Sequence, residues 1–323
     1  MADAAAVSPL SPVESHAIPA PLFPAASIFH EPWWLDIATD GQWTELLVED
    51  GGAVVRLRHG LELSNGRLIS HMPTLIRTLG PEFFGLSGKD VTIERRKMAL
   101  TRRLIEGLSG LAHFEQIFDH RVGDAATFVR HRDFGVTVEY AYRAEAGISE
   151  AESWSRMTDK VRNTIRSAAR QFKVIKIDDA GAFCRFHDAC LRGLPNHHGS
   201  ARMARLVTAV QTHRAGQMLA AVDRNGAMVA ALLAVWDADA VRNLIVARDL
   251  ERCGNGALSL LLSHAMRIAE RRGVAFDFDG AVTQGQLSFL SGFGAGLVQR
   301  LVVWRTEPGY LPARRNVLAI NRA

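Results

Sequence analysis

Apolar residues recur along this chain in two rhythms. Over 136–142, Val136, Val138, Tyr140 and Tyr142 alternate with other residues, the period of a half-buried strand. Over 257–272, Leu258, Leu261, Leu262, Ala265 and Ile268 fall on one helical face, and Gly273 follows Arg271 and Arg272 as a C-terminal cap should. Before that helix, 217–222, 228–236 and 241–247 read as a three-strand antiparallel meander. Asp223-Arg224-Asn225-Gly226 predicts a type I′ hairpin turn, and Asp237-Ala238-Asp239 turns the chain again. In the first half the pattern predicts a helix start at 31–35, strands at 44–49, 53–59 and 67–70, a helix at 93–108 and strands at 114–118 and 136–142. One charged helix, 150–171, leads to a strand at 174–177 and helices at 179–191 and 201–213. After the long amphipathic helix come a buried strand at 274–278, a short helix at 284–290 and a last strand at 297–305. This order of elements is α/β in the α+β sense, and neither a Rossmann fold nor a barrel.

Composition narrows the class. The chain has 323 residues, 48% hydrophobic and 22% charged, enough for a substantial core and about right for two domains of ordinary size. The longest apolar run, 227–236, falls far short of the ~20 residues of a membrane-spanning helix, so no span is expected. The stretch 1–24 holds Pro9, Pro12, Pro19, Pro21 and Pro24 among Ala, Ser and Val, and reads as a flexible leader without the features of a secretory signal. Cys184, Cys190 and Cys253 are odd in number and form no metal-type cluster, which fits a reducing cytoplasm and predicts no metal site. A net charge of +4 suits an anionic ligand without demanding nucleic acid.

Four stretches carry candidate chemistry. Gly254-Asn255-Gly256-Ala257 lies where a strand feeds a helix; the free N–H groups of that helix start, with Arg248 and Arg252, suit a phosphate, while the same glycines also suit a plain tight turn. In Phe276-Asp277-Phe278-Asp279-Gly280, strand alternation puts both carboxylates on one face. Mutual repulsion would raise one pKa, as a general base needs; the other reading is that Asp277 ties down a loop and Asp279 caps a turn. Arg162, Arg166, Arg170 and Lys173 line one helical face, as a solvated face or as a track for phosphates. His197-His198 stands in a polar loop with no third ligand at a metal spacing, as a substrate contact or an idle surface loop.

Taken together, these stretches resemble FemAB-like members of the GNAT acyltransferase superfamily. The resemblance rests on Asn255-Gly256-Ala257-Leu258, on 273–280, and on Phe289 and Phe293-Gly294-Ala295. Upstream, 160–168 (KVRNTIRSA), Met72-Pro73, Leu79-Gly80-Pro81 and Pro32-Trp33-Trp34 match in kind. It implies two tandem GNAT-like modules, each a mixed, mostly antiparallel sheet flanked by helices. The leader would be 1–27, the N-terminal module 28–148 and the C-terminal module 149–323, with a linking helix at 149–172. It further implies an acyl donor, acetyl-CoA or a longer acyl-CoA, held along the splayed strand 241–247. The donor contacts expected are Ile245, Val246, Ala247 and Arg248 on that strand, Arg252, Gly254, Asn255, Gly256 and Ala257 on the loop, and Phe289 on the late helix. Asp279, supported by Asp277, would be the base, and Trp236, His197 and His198 would meet the acceptor, a primary amine of a small molecule, amino sugar or peptide.

Two departures stand out. Glu251 occupies the loop position where a basic residue is usual, and Phe289 stands where a general-acid tyrosine is usual. They leave room for other readings. An acyl carrier protein could present the donor in place of CoA. The Fem branch takes amino acids from tRNA, but this chain lacks that branch's long coiled-coil insertion, so tRNA is not the expected partner. A non-catalytic GNAT-like binding module is the third reading.

Overall fold

The computed structural model describes residues 24–310, apart from 124, 132, 253, 255, 281 and 282. Asn255 and Cys253 therefore lie outside the described residues. A single 3-10 turn (Ile28–His30) leads into α1 (Pro32–Ala38), whose proline sits in the first turn, where its missing N–H costs no hydrogen bond. Next come β1 (Trp43–Asp50), β2 (Ala53–Gly60), β3 (Glu62–Ser64), β4 (Arg67–Ser70), β5 (Glu82–Phe84), α2 (Asp90–Gly107), β6 (His113–Ile117), α3 (Ala126–Arg130) and β7 (Phe134–Ala144). The second half contains α4 (Glu150–Arg156), α5 (Asp159–Gln171), β8 (Lys173–Ile177), α6 (Ala180–Cys190), α7 (Ser200–Thr212), β9 (Gly216–Val222), β10 (Met228–Trp236), β11 (Ala240–Arg248), α8 (Ala257–Arg272), β12 (Ala275–Gly280), α9 (Gln284–Ser291) and β13 (Gly296–Thr306).

The architecture is α/β, with a mixed, mostly antiparallel sheet flanked by helices. Ten strands form one sheet in the order β3-β4-β6-β13-β7-β12-β11-β10-β9-β8, and β1, β2 and β5 form a small second sheet. Among the described residues, the parallel strand pairs of the large sheet are β4/β6 and β11/β12. The last strand, β13, enters between two strands of the first half. It pairs with β7 from Gly296↔Arg143 to Arg305↔Phe134 and with β6 from Val302↔Ile117 to Thr306↔His113.

Strand alternation sorts the core onto two faces. On one, Tyr142, Leu232, Leu261, Phe276, Phe278 and Phe293 are buried against α5, α8 and α9. On the other, Trp34, Phe183, Leu206, Leu233 and Ile245 are buried with α1, α6 and α7. A third cluster, with Leu57, Leu104, Phe114, Phe118 and Val303, joins the small sheet to the large one.

Two sequence expectations change. The helix predicted over 150–171 is two helices, because Thr158 breaks the run: its side chain accepts from Val161 N–H to cap α5, while its own N–H donates to the Gly292 carbonyl. The β9–β10 turn is not type I′. Of its residues only Gly226 has positive φ, at 79°, and Asp223 Oδ1 accepts from the N–H groups of Asn225 and Ala227. The aspartate side chain organises the turn, so only one residue must adopt the left-handed conformation.

Candidate functional site

The site begins at a fork in the sheet. β11 and β12 pair at three positions, Ala240↔Ala275, Val241↔Phe276 and Arg242↔Asp277. Past that point β11 stays with β10 and β12 with β7. Each arm carries an irregularity. Ile245 faces Leu233 and Asn243 faces Ala234, leaving Leu244 as an extra residue in β11. Asp277 faces Arg143 and Asp279 faces Tyr142, leaving Phe278 extra in β12. A bulge bends its strand and re-aims its neighbours; here the second one places Asp279 at φ 69°, where a non-glycine residue is strained.

Charged groups gather along the β12 arm. Arg300 of β13 is 2% exposed and binds both carboxylates: Nη2 donates to Asp277 Oδ2 and Nη1 to Asp279 Oδ1, each at 2.8 Å. Burial disfavours the Arg300 charge, but Asp277 and Asp279 outweigh it and raise the pKa above the ordinary arginine value. Arg77, from the loop after β4, brings Nε to 2.7 Å from Asp279 Oδ2. Burial pushes the Asp279 carboxyl up, yet Arg77 and Arg300 prevail and hold it below the usual carboxylate range. The mutual repulsion foreseen for the aspartates is thus neutralised by a shared arginine. Asp277 also accepts the Asp279 N–H through Oδ1 and lies 3.9 Å from Arg143 Nη1. Arg143 continues to Asp239, and Arg242 binds Asp237 and Asp239, so an alternating network runs to the closed end of the fork.

Glu139 was not foreseen. It faces Arg300 across β7/β13, with Oε1 3.8 Å from Arg300 Nη1, and its side chain is about one-third exposed, at 32%. Burial, with Asp279 and Glu115 nearby, pushes its pKa up to about 7 against the pull of Arg300 and Arg77. The sequence signal was the polar phase of the 136–142 alternation, which by itself reads as a solvent face.

The other expected residues separate into groups. Ile245 and Ala247 are buried on β11, Val246 is partly buried, and Arg248 is exposed at its end. Gly254 has φ 50° with open space around it. Gly256 is different: a Cβ there would lie 2.8 Å from Ala168 Cβ and 3.3 Å from the Thr164 carbonyl of α5, so the missing side chain serves helix packing. Gly256 caps α8 and Ala257, its first residue, is buried. Arg252 is drawn to Asp223 at 2.6 Å, and Glu251 pairs with Arg192 at 3.2 Å. Phe289 is partly buried, edge-on to Phe293. Trp236 pairs with Val241 at the closed end of the fork; its Nε1 donates to the Arg214 carbonyl and Arg272 covers its ring. His197 is exposed. His198 Nδ1 is buried with no hydrogen-bond partner, and burial followed by the charge of Arg77 pushes the imidazole pKa down to about 3. Of the basic stripe, Arg162 binds Asp159 and Arg166 lies over Trp154. Among the described residues no three His, Cys, Asp or Glu side chains gather as metal ligands, and no helix is long and apolar enough to cross a membrane.

Solved structures identify the fold. FemX superposes with a TM-score of 0.64 at 10% identity, over 86% of this chain and 92% of FemX. The chain has the fold of FemX. Two further structures share this fold. The C-terminal domain of a putative lysylphosphatidylglycerol synthetase from Agrobacterium fabrum has a TM-score of 0.53 at 10% identity, covering 82% of this chain and 84% of that one. L-PGS from Bacillus licheniformis has a TM-score of 0.52 at 13% identity, covering 86% and 88%. At these identities the likeness is one of fold. Neither protein-family models nor curated protein sequences give a match to the chain.

Proposed function

We propose that this protein is an acyltransferase that moves an acyl group from an activated donor to a primary amine by direct attack, with Glu139 as the proton acceptor. The observation that carries this reading is the Glu139 carboxyl, partly open to solvent beside the fork and poised at about pH 7. A base with that pKa takes a proton from an attacking amine efficiently at neutral pH. The amine nitrogen bonds to the acyl carbon, the bond to the donor's leaving group breaks, and the amine proton passes to Glu139. Asp279 stays ionised between Arg77 and Arg300 and holds these cations in place, while Asp277 fixes Arg300 from below. His198 borders the same charged cluster through Arg77, and it serves the acceptor side with His197 next to it.

The donor in this reading is acetyl-CoA or a longer acyl-CoA, its acyl end along Ile245, Val246 and Ala247. Its phosphates lie near Arg248, Gly254 and the start of α8; Arg248 is exposed and makes no ion pair among the described residues. A thiolate leaves without much help, because thiols are fairly acidic, so Phe289 in place of a tyrosine is compatible with turnover. The acceptor is a small-molecule, amino-sugar or peptide amine.

A second donor, an aminoacyl group carried by tRNA, is favoured by one observation. Glu251 and Arg252 are turned to Arg192 and Asp223, which weakens the grip expected on a pyrophosphate. The deciding experiment follows amine-dependent thiol release from acetyl-CoA by nuclease-treated protein, over a panel of primary amines. Release is expected, with little dependence on salt. Activity abolished by RNase and restored only by aminoacyl-tRNA would replace the CoA donor with the tRNA one.

A further inference from the structure

The mouth of the fork is bridged by a side chain from the other half of the molecule. Arg77 reaches both arms: Nη2 donates to the Leu244 carbonyl of β11 at 2.7 Å, and Nε lies 2.7 Å from Asp279 Oδ2 of β12. Its loop is anchored, since Leu75 and Ile76 are buried and Trp34 Nε1 donates to the Leu75 carbonyl at 3.0 Å. The Arg77 side chain itself is about one-quarter exposed, at 24%. A fixed loop thus carries a tip with access to solvent.

The place that the tip occupies is informative. Leu244 is the bulged residue of β11, out of register with β10, and it lies on the stretch that β12 no longer pairs. A strand edge freed in this way is where an extended chain bearing amide N–H groups adds as a further strand. The Arg77 guanidinium donates to Leu244 where such an amide would donate. We infer that Arg77 is a gate: it closes the fork in the donor-free protein and is displaced when the amide-bearing chain of the donor enters. This inference rests on the acyltransferase reading above. Displacement would also remove one of the cations facing Glu139, so donor entry would strengthen the base. Among the described residues, the titratable and charged groups near Arg77 are Asp279 on β12, Glu139 on β7 and His198 before α7, with Arg300 on β13 sharing Asp279 and Glu139 with it.

The rival account makes Arg77 a permanent strut, whose loss would loosen the fork and weaken whatever binds there. Calorimetric titration separates the two, using acetyl-CoA with the unmodified protein, Arg77→Ala and Arg77→Lys, each first shown to be folded by circular dichroism. The gate requires Arg77→Ala to bind about tenfold tighter, about 1.4 kcal/mol. Arg77→Lys, which keeps the charge but cannot span both arms, falls between. Affinity that is unchanged or weaker in Arg77→Ala overturns the gate while leaving the donor reading intact. If none of the three proteins binds acetyl-CoA, the CoA donor fails, and the same series is titrated with an aminoacylated RNA microhelix. That probe is ester-linked and has no amide-bearing chain, so the same order of affinities there leaves Arg77 closing the fork but overturns its displacement by an amide chain, and no binding by any of the three to either probe overturns the gate outright.

Discussion

The glycine loop at 252–257 and the carboxylate strand at 275–280 are neighbours around α8, yet their residues are engaged in different ways. At the loop, Gly256 makes room for α5, Arg252 is held by the β9–β10 turn and Glu251 by Arg192. Local partners account for most of what made the motif conspicuous. At the strand, Asp277 and Asp279 are joined by Arg77 and Arg300 and coupled to Glu139, from three separate parts of the chain. A short motif therefore marks a place in the fold, and its chemistry is set by residues that arrive from elsewhere.

The sharpest way to break this contrast is at Glu139. Glu139→Gln is expected to lower kcat by ~10²–10⁴ at pH 8, where the carboxylate of the unmodified protein is ionised. The unmodified enzyme should gain rate as pH rises and level off above about 7, and the variant should show no such limb. A preserved limb in the variant would move the base to another group. Next comes the arginine that unites the strand site. Arg300→Leu takes from Asp277, 3% exposed, its hydrogen-bonded charge partner, leaving only the more distant Arg143 at 3.9 Å, and is expected to cost about 3 kcal/mol in urea unfolding. Adding Asp277→Asn to that variant should restore part of the loss.

The loop half of the contrast is tested by packing. Gly256→Ala is expected to cost about 1–3 kcal/mol through its clash with α5, and Ala168→Gly in the same chain should recover part of it, the Thr164 carbonyl contact remaining. If the second change recovers nothing, the glycine is not there for the helix contact. The smallest effect expected is a dependence of stability on pH. The folded-state pKa of Glu139 lies above its unfolded value of 4.5, so this residue favours the folded state fully below 4.5, and the contribution is lost as pH rises through about 7. With a side chain about one-third exposed, the difference is on the order of 1 kcal/mol after solvent screening. Unfolding curves at pH 4.5 and 8 for Glu139→Gln and the unmodified protein should differ by that amount.

Legibility in the sequence followed the range of the interactions. The β9–β10–β11 meander and α8, ending in Gly273 at φ 69°, are set by local periodicity and capping, and they stand where the pattern placed them. The fork, the two bulges and the arginine bridges depend on register between distant segments. Asp277 and Asp279 could be singled out because they stand together. Arg77 is separated from them by some 200 positions, and Glu139 looked like one solvent-facing residue of an alternating strand. Trp236 looked suited to an acceptor pocket, but its position at the closed end of the fork follows from pairing with Val241.

The placement of β13 between β6 and β7 bears on how the protein is made. During synthesis β6 and β7 leave the ribosome long before residues 296–306; β6 must wait with one edge unpaired, and β7, whose other neighbour is β12, with both. The centre of the sheet, and with it the Arg300 contacts to Glu139, Asp277 and Asp279, can close only after most of the chain has been translated. Premature termination anywhere before β13 thus leaves an open sheet and a charge cluster without the arginine that joins Glu139, Asp277 and Asp279.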